Sequence, residues 1–289
     1  MRVLGFGDNI VDRFVDRGVD YPGGNSVNVA VYARRLGAEA AYLGVFGDDA
    51  LGGFLREAIA AEGVALERCV VRAGESGVSR LRVDDGERVF LGWNGGGVTV
   101  REPLALDDGL LAYAAGFDLV HSSVYSRSEP ELPKLAGLGP LVSFDLSSEE
   151  EYRGPAYLDR VCPYADLVLL SCSHLDEDAT ADLLAEAVRR GAGIALGTRG
   201  VAGALAHDGR DTVAAPARLA TAVVDTMGCG DAFLAGFAVS LLGDGWRAGA
   251  RAGSAMIERA LRGGAESARA QCSVEGAFGH GRRSPVTSM

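Results

Sequence analysis

Between residues 105 and 215 the chain alternates short, mainly apolar runs with stretches of helical period. The runs 117–121, 141–144, 167–170 and 193–196 are apolar nearly throughout and end at turn residues, and the segment 177–190 between them repeats its apolar positions every three to four residues. Strands that are apolar on both faces are covered on both faces, so the pattern predicts a mostly parallel sheet between two layers of helices. Residues 2–7 and 41–45 read as further buried strands, and 54–62 as an amphipathic helix. Val29, Tyr32, Ala33 and Leu36 recur at helical spacing before Gly37, with Asn25 or Ser26 as the cap. Ligands of such sheets gather outside the carboxyl ends of the strands, which places Asp145, Ser171, Thr198 and Asp225 along one edge.

The period changes over 70–100. Val78, Arg80 and Arg82 alternate with Leu81 and Val83, Asp84-Asp85-Gly86-Glu87 reads as a hairpin turn, and Arg88-Val89-Phe90-Leu91 returns. A two-stranded ribbon cannot bury both of its faces, so it must cover something. Asn94–Gly97 reads as a flexible return to the body.

Composition narrows the classes. The 289 residues suffice for a single large domain, and the net charge of −11, with no basic stripe, argues against a nucleic-acid partner. Glycine, 41 residues, is about twice its usual ~7% share, which calls for tight turns and close backbone approaches. Five cysteines (Cys69, Cys162, Cys172, Cys229, Cys272), without a CxxC pair, fit free thiols in a reducing compartment. No apolar run approaches the ~18 residues of a membrane span, and the chain opens on a strand-like segment, not a leader, so a soluble cytoplasmic protein is expected.

The chemistry concentrates in Asp225-Thr226-Met227-Gly228-Cys229-Gly230-Asp231, which leads into a helix with Phe233, Phe237, Leu241 and Leu242 on one face. Backbone N–H groups at a helix start lack internal partners and carry partial positive charge, and Gly228 and Gly230 let that backbone approach an anion closely. A carboxylate there would repel the anion; Asp231 makes sense if it takes a proton from a hydroxyl attacking a phosphoryl group, although a helix cap would look the same. The opening Gly5-Phe6-Gly7 lacks the third glycine of a dinucleotide fingerprint. Asn28 falls in the first turn after Gly23-Gly24, where it could face a ligand held over the glycines.

These residues resemble the signatures of the ribokinase-like (PfkB) carbohydrate kinases. The 225–237 run matches every fixed position of DTxGxGDxFxxG, Gly23–Gly37 resembles the GG…N…LG signature, and Gly47–Gly52 the GxDxxG turn. The resemblance implies a three-layer α/β/α fold with a small β lid inserted at about 11–22 and 70–100, ATP and Mg²⁺ as cofactors, and a homodimer paired through the lid. It implies Asp231 as the base, with Gly228, Cys229 and Gly230 cradling the phosphoryl group, and Asp12, Gly23, Gly24 and Asn28 on the sugar. It further implies Thr198, Gly200, Gly203, Thr226 and Cys272 on the nucleotide, and Asp225 beside a monovalent cation such as K⁺. The opening GDNxVD and the GGN turn look most like the fructoselysine 6-kinase branch, with Asp8 and Asn25 as branch-specific sugar contacts and Arg80, Arg82 and Arg88 facing an amino-acid carboxylate. Kinases of the same fold acting on ribose, fructose, 2-keto-3-deoxygluconate or nucleosides, and a non-catalytic sensor, are the alternatives. One departure stands out: the family's NxxE magnesium motif is missing, Ser171, Asp176 and Glu177 being the oxygen ligands at hand and His174 reading as a surface residue. Cys229 occupies a cradle position where the helix start could activate its thiol. The segment 245–262 reads as a helical insertion without an assigned task, and the residues after Gly281 as frayed.

Overall fold

The computed structural model describes residues 1–84 and 87–284. Its strands and helices follow in chain order: β1 (Arg2–Gly7), β2 (Ile10–Phe14), β3 (Val19–Gly23), α1 (Asn25–Arg35), β4 (Glu39–Gly47), α2 (Ala50–Ala61), β5 (Val70–Arg72), β6 (Val78–Asp84), β7 (Glu87–Trp93), α3 (Gly97–Arg101) and α4 (Asp108–Ala114). There follow β8 (Leu119–Ser123), α5 (Leu132–Leu135), β9 (Leu141–Asp145), α6 (Pro155–Val161), β10 (Leu167–Ser171), α7 (Glu177–Arg189), β11 (Ile194–Thr198), β12 (Ala204–His207), β13 (Thr212–Ala215), α8 (Cys229–Gly243), α9 (Ser254–Gln271) and β14 (Arg282–Arg283).

Nine strands form the main sheet in the order β13-β12-β11-β10-β9-β8-β1-β4-β5. From β11 to β5 every neighbouring pair is parallel, and β12 and β13 join antiparallel at one edge. Successive residues of a strand point to opposite faces, and here both faces are buried. Val3, Tyr42, Leu119 and Leu141 enter a core shared with α1, α2, α8 and α9. Leu4, Leu43, Val120 and Val142 enter the opposite core, with α4 to α7. The result is the expected α/β/α sandwich. The crossover geometry brings the carboxyl ends of β1, β8, β9, β10 and β11 to one edge, where the site lies.

The small sheet has five strands in the order β14-β3-β2-β6-β7, more than the ribbon the alternation suggested. Short sequence spacing between Asp12 and Gly23 conceals a hairpin, β2 against β3, whose second strand leads straight into α1. Two other expectations shift here, and a third is not met by described residues. The segment 70–72 belongs to the main sheet beside β4. Asn94 is fixed by bonds to the backbone of Ser76 and Val78, and α3 follows with Val98 and Val100 buried. Of the expected turn 84–87, residues 85 and 86 lie outside the described residues.

The tail is pinned rather than frayed through residue 284: Arg282 and Arg283 pair with Asp20 and Val19, the Arg282 guanidinium lies 3.9 Å from the Phe54 ring centroid, and the Ser284 N–H donates to the Gly18 carbonyl at 2.9 Å. Residues 285–289 lie outside the described residues. The expected insertion 245–262 is the turn after α8 and the first half of α9, whose Ile257 and Leu261 pack into the core beside α8. The apolar run 222–224 forms no strand; Val223 and Val224 are exposed in a loop, so Asp225 reaches the site from that loop and not from a strand end.

Asp20, fully buried, anchors the small sheet by accepting both fork N–H groups of Arg13 (2.7 and 2.8 Å) and the Ser284 hydroxyl (2.6 Å). Asp20→Ala strands a largely desolvated guanidinium and is expected to cost about 2–4 kcal/mol by denaturant unfolding; a change below about 0.5 kcal/mol, the level of an ordinary surface substitution, would sink this assignment.

Candidate active site

Two helix starts meet over the edge of the main sheet. At the first, Gly24 caps α1 with a positive φ of 116°, and a side chain there would stand 2.7 Å from the Asn9 Cα and 2.8 Å from the Asp8 carbonyl oxygen. Only glycine passes so close to another backbone in that conformation. The cap is therefore the glycine and neither Asn25 nor Ser26, whose polar groups turn inward. The Asp8 carboxylate accepts from the Asn25 N–H (2.7 Å) and from the hydroxyls of Ser26 (2.8 Å), Ser123 (2.9 Å) and Ser126 (2.7 Å). Asp8 thus spends its acceptors on holding the Gly23–Ser26 turn against the ends of β1 and β8.

At the second helix start, Gly228 caps α8 with φ 72°, and a side chain would run into the Tyr32 hydroxyl, itself bonded to the Ala277 carbonyl. Asp225 shapes the approach: its oxygens accept from the N–H groups of Met227 (3.0 Å) and Gly276 (3.1 Å). Gln271 binds the Met227 and Gly276 carbonyls from below, at 3.0 and 2.9 Å. Among the described residues the N–H groups of Gly228 and Gly230 have no hydrogen-bond partner, and that of Cys229 makes one long bond of 3.3 Å to the Thr226 carbonyl. Beyond its chain neighbours and the backbone of its own helix, nothing among the described residues lies within 4 Å of where a Gly230 side chain would stand. Unpartnered amides at the positive end of a fifteen-residue helix are suited to hold an anion.

Asp231, in the first turn of α8, accepts a 2.7 Å hydrogen bond from the Asn28 amide on α1. The other carbonyl-type oxygen of this contact, Asn28 Oδ1, is buried without a partner among the described residues. Asn25 joins the same group by donating to Asp145 at the end of β9, which also accepts from the Ser147 N–H at 2.7 Å.

Burial dominates the electrostatics. It raises the Asp231 carboxyl well above the usual range, with the charges of Asp145, Asp8 and Asp12 adding to the effect and the Asn28 bond opposing it. Burial likewise takes Asp145 up to about 6, against the bonds from Ser147 and Asn25. Asp12 rises to about 7, by burial first, with Arg88 pulling down and Asp225 and Asp8 pushing up. Several carboxyl groups sharing one dry site cannot all ionise cheaply. His121, buried beneath them on β8, is lowered to about 4 by desolvation and is neutral.

On the other side of α8's first turn opens a cleft of about 380 Å³. Thr198, Gly200, Gly203, Thr226, Cys229, Gly230 and Cys272 all line it, beside an apolar wall that includes Val201, Leu219, Val223 and Phe233. The five residues expected on the nucleotide therefore share one cavity, and Asp8, Asp12, Asn25 and Asn28 gather with Asp231 across the helix start. The Cys229 thiol sits 3.5 Å from that of Cys272, and burial together with Cys272 pushes it up. At this helix start burial and the neighbouring thiol therefore work against the thiolate, which bears on the activation the position could have offered.

The remaining expectations are placed as follows. Asp176 caps α7 by accepting from the Ala179 N–H at 2.8 Å, Glu177 pairs with Arg199 at 3.1 Å, Arg153 binds the Ser171 carbonyl, and His174 meets Arg153 at the surface. Among the described residues no three His, Cys, Asp or Glu side chains converge as metal ligands. Arg82 pairs with Asp84 on its own strand and Arg80 is exposed, whereas Arg88 donates to the Thr226 hydroxyl at 2.9 Å. Sequence reasoning missed Ser123 and Ser126, for which the serine-rich segment after β8 was the available signal, and noted Asp145 only as a strand end.

The family model described as pfkB family carbohydrate kinase matches residues 9–279. The chain is 39% identical over 282 residues to the fructosamine kinase FrlD of Bacillus subtilis, covering 97% of this chain and 94% of that protein. It is 33% identical over 243 residues to the fructoselysine 6-kinase of Escherichia coli, covering 84% and 88% respectively. Among solved structures, a fructokinase with bound ATP from Xylella fastidiosa superposes with a TM-score of 0.74 at 21% identity, covering 96% of this chain and 95% of that one. A ribokinase of Arabidopsis thaliana complexed with ribose and ATP does so with a TM-score of 0.74 at 20% identity, also covering 96% and 95%. At these identities the superpositions show a shared fold.

The sign of the carboxyl shifts yields a test. Between about pH 4 and 7 the native state keeps a proton on Asp12 that the unfolded chain has released, so stability falls as pH rises through that window. Asp12→Asn removes the loss: its thermal midpoint should exceed the wild type's near pH 8, by the equivalent of roughly 1–3 kcal/mol after allowing for solvent at the site's edge, and match it near pH 4. Equal midpoints at both pH values would remove the assigned burial cost.

Proposed function

Since the chain belongs to the pfkB family of carbohydrate kinases, we propose that it transfers the γ-phosphoryl group of ATP to a primary hydroxyl of a glycated amino acid, a fructoselysine-like sugar adduct. The observation that carries the reaction is the position of Asp231: it lies at the same helix start as the open amides of Gly228 and Gly230, between a cluster of polar sugar-type ligands and an apolar-walled cleft. The substrate class rests on the likeness to the fructosamine and fructoselysine kinases.

In this reading the adenine lies against the apolar wall of the cleft and the phosphates run past Thr198, Gly200 and Thr226 to the cradle. Asp231, made more basic by burial, takes the proton of the attacking hydroxyl. The Asn28 amide orients that carboxylate through its N–H, and its unpartnered Oδ1 accepts from a sugar hydroxyl, which satisfies a buried polar atom. Asp12 binds further sugar hydroxyls, while Asp8 keeps the Gly23-Gly24-Asn25 turn in register. The amides of Gly228 and Gly230 hold the charge that builds on the migrating group. Magnesium would supply charge neutralisation at the phosphates; Asp176 caps α7 and Glu177 pairs with Arg199, which leaves the Ser171 hydroxyl as the oxygen at hand among the three expected. Asp225 caps its turn with one backbone N–H on each oxygen and keeps lone pairs that a K⁺ could use.

The test is phosphoryl transfer from ATP across a panel of fructoselysine, glucoselysine, fructose, ribose and adenosine. Fructoselysine should give the highest kcat/KM, and Asp231→Asn should lower kcat about 10²–10⁴-fold while calorimetric sugar binding persists. Turnover of the variant near that of the wild type would refute Asp231 as base, and preference for a free sugar would refute the substrate class. Sugar binding without ADP release would instead identify a sensor.

The small sheet is the lid in this reading. Its outer strand β7 exposes Phe90, Leu91 and Trp93, which supports a homodimer paired through the lid, because an apolar edge strand left in water invites pairing. Sedimentation should give a dimer mass at micromolar concentration that Phe90→Asp with Trp93→Asp reduces to a monomer; a monomeric wild type would exclude it.

A further inference from the structure

We infer that Arg88, carried on the small sheet, is a catalytic residue whose guanidinium binds the γ-phosphoryl group as it crosses from nucleotide to sugar. The inference rests on the kinase reading above and concerns a residue outside both signature motifs.

Its position is the first ground. From β7, Arg88 reaches across to donate to the Thr226 hydroxyl at 2.9 Å, and its Nε lies 3.8 Å from Asp225. Thr226 lines the nucleotide cleft. The same guanidinium lowers the Asp12 carboxyl on the sugar side and the Cys229 thiol on the nucleotide side, so its charge acts on both halves of the site. A group that lies between them is where the phosphoryl group must pass.

The second ground is how weakly it is held. Thr226 offers a neutral hydroxyl, and Asp225 already accepts two backbone N–H groups at 3.0 and 3.1 Å. The fork has five donors, and one of them has a hydrogen-bond partner among the described residues. A planar guanidinium presents paired N–H groups that match two oxygens of one phosphoryl group, so moving from Thr226 to such a ligand exchanges one neutral bond for charge-assisted ones.

The third ground is need. Asp8, Asp12, Asp145 and Asp231 already crowd this site, and a nucleotide adds more negative charge. Lys134 is the chain's single lysine, and it pairs with Glu131 at 2.7 Å in the α4–α7 layer. A lysine therefore cannot serve the migrating group, and Arg88 is the arginine that the small sheet delivers to Thr226.

In the step itself the sugar oxygen forms its bond to phosphorus, the bond from phosphorus to the ADP oxygen breaks, and the hydroxyl proton passes to Asp231. Arg88 keeps its protons and donates hydrogen bonds to the nonbridging oxygens, more strongly as charge develops there. Because it rides on the lid, it makes lid closure responsive to the γ-phosphate.

Binding of the β,γ-imido analogue of ATP and of ADP, measured by calorimetry on wild type, Arg88→Met and Arg88→Lys, tests this without requiring any sugar to turn over. Arg88→Met should weaken the analogue about tenfold or more and ADP by less than about twofold. With the preferred sugar its kcat should fall about 10²-fold while sugar affinity holds, and Arg88→Lys, which keeps the charge but loses the fork, should fall between. Thermal melts of both variants check that the exposed strand still folds. Equal weakening of analogue and ADP, no weakening of either, or a loss confined to sugar KM would overturn the assignment. A wild type that phosphorylates nothing in the panel would defeat the kinase reading while the analogue-to-ADP ratio still decides Arg88.

Discussion

The 2.7 Å hydrogen bond from Asn28 to Asp231 joins the first turns of α1 and α8, and the rest of the site is built around keeping those two turns together. Each helix start is held by a glycine in a conformation that a side chain would obstruct, Gly24 against Asp8 and Asn9, Gly228 against Tyr32. Each is then fixed from behind by a buried carboxylate: Asp8 collects donors from the Gly23–Ser26 turn and β8, and Asp225 collects those of Met227 and Gly276. The two helices pack in the same core on one face of the sheet, so the distance between their starts is set by close packing and not by the polar contact alone.

This arrangement is costly for the ligand-free protein. Asp145 and Asp231 are buried and Asp12 half-buried, and in all three burial, with neighbouring carboxylates adding to it, raises the carboxyl pKa. Removing one such charge should stabilise the fold, which marks the cluster as a functional strain and not a structural staple. The cost is tolerable because two apolar cores, one on each face of the main sheet, supply the stability. The same strain makes Asp231 a better proton acceptor and leaves the site hungry for cationic groups, which the small sheet meets with Arg88.

The small sheet shows how local signals mislead about extent. Alternation over 78–91 revealed two strands and the family resemblance supplied lid strands at about 11–22, where β2 and β3 lie; β14 went unforeseen, because two arginines near the tail are too short a segment to stand out from a single sequence. Asp12 and Arg13 lie mid-strand and Pro22 sits in β3; pairing makes those segments strands, β2 between β3 and β6, and β3 between β2 and β14. The tail behaves similarly: Arg282 and Arg283 carry no strand propensity and are ordered by Val19, Asp20 and the Phe54 ring.

By itself the sequence determined the sandwich and the two helix starts. Apolar runs that recur between segments of helical period read as strands buried on both faces, and glycines set before helical periodicity read as tight turns at helix starts; both signals are local and need no partner. Tertiary structure alone decided which charges meet. Asn28 and Asp231 are about two hundred residues apart, Asp145 arrives from β9, Arg88 from another sheet, and Asp225 from a loop that the apolar run before it disguised. Nothing in the local pattern of a carboxylate encodes how dry it will be or what will stand opposite it. The thiol of Cys229 is the plainest case: its place at a helix start left its reactivity open, and the burial and the Cys272 thiol that push it up are brought to it by the end of α9.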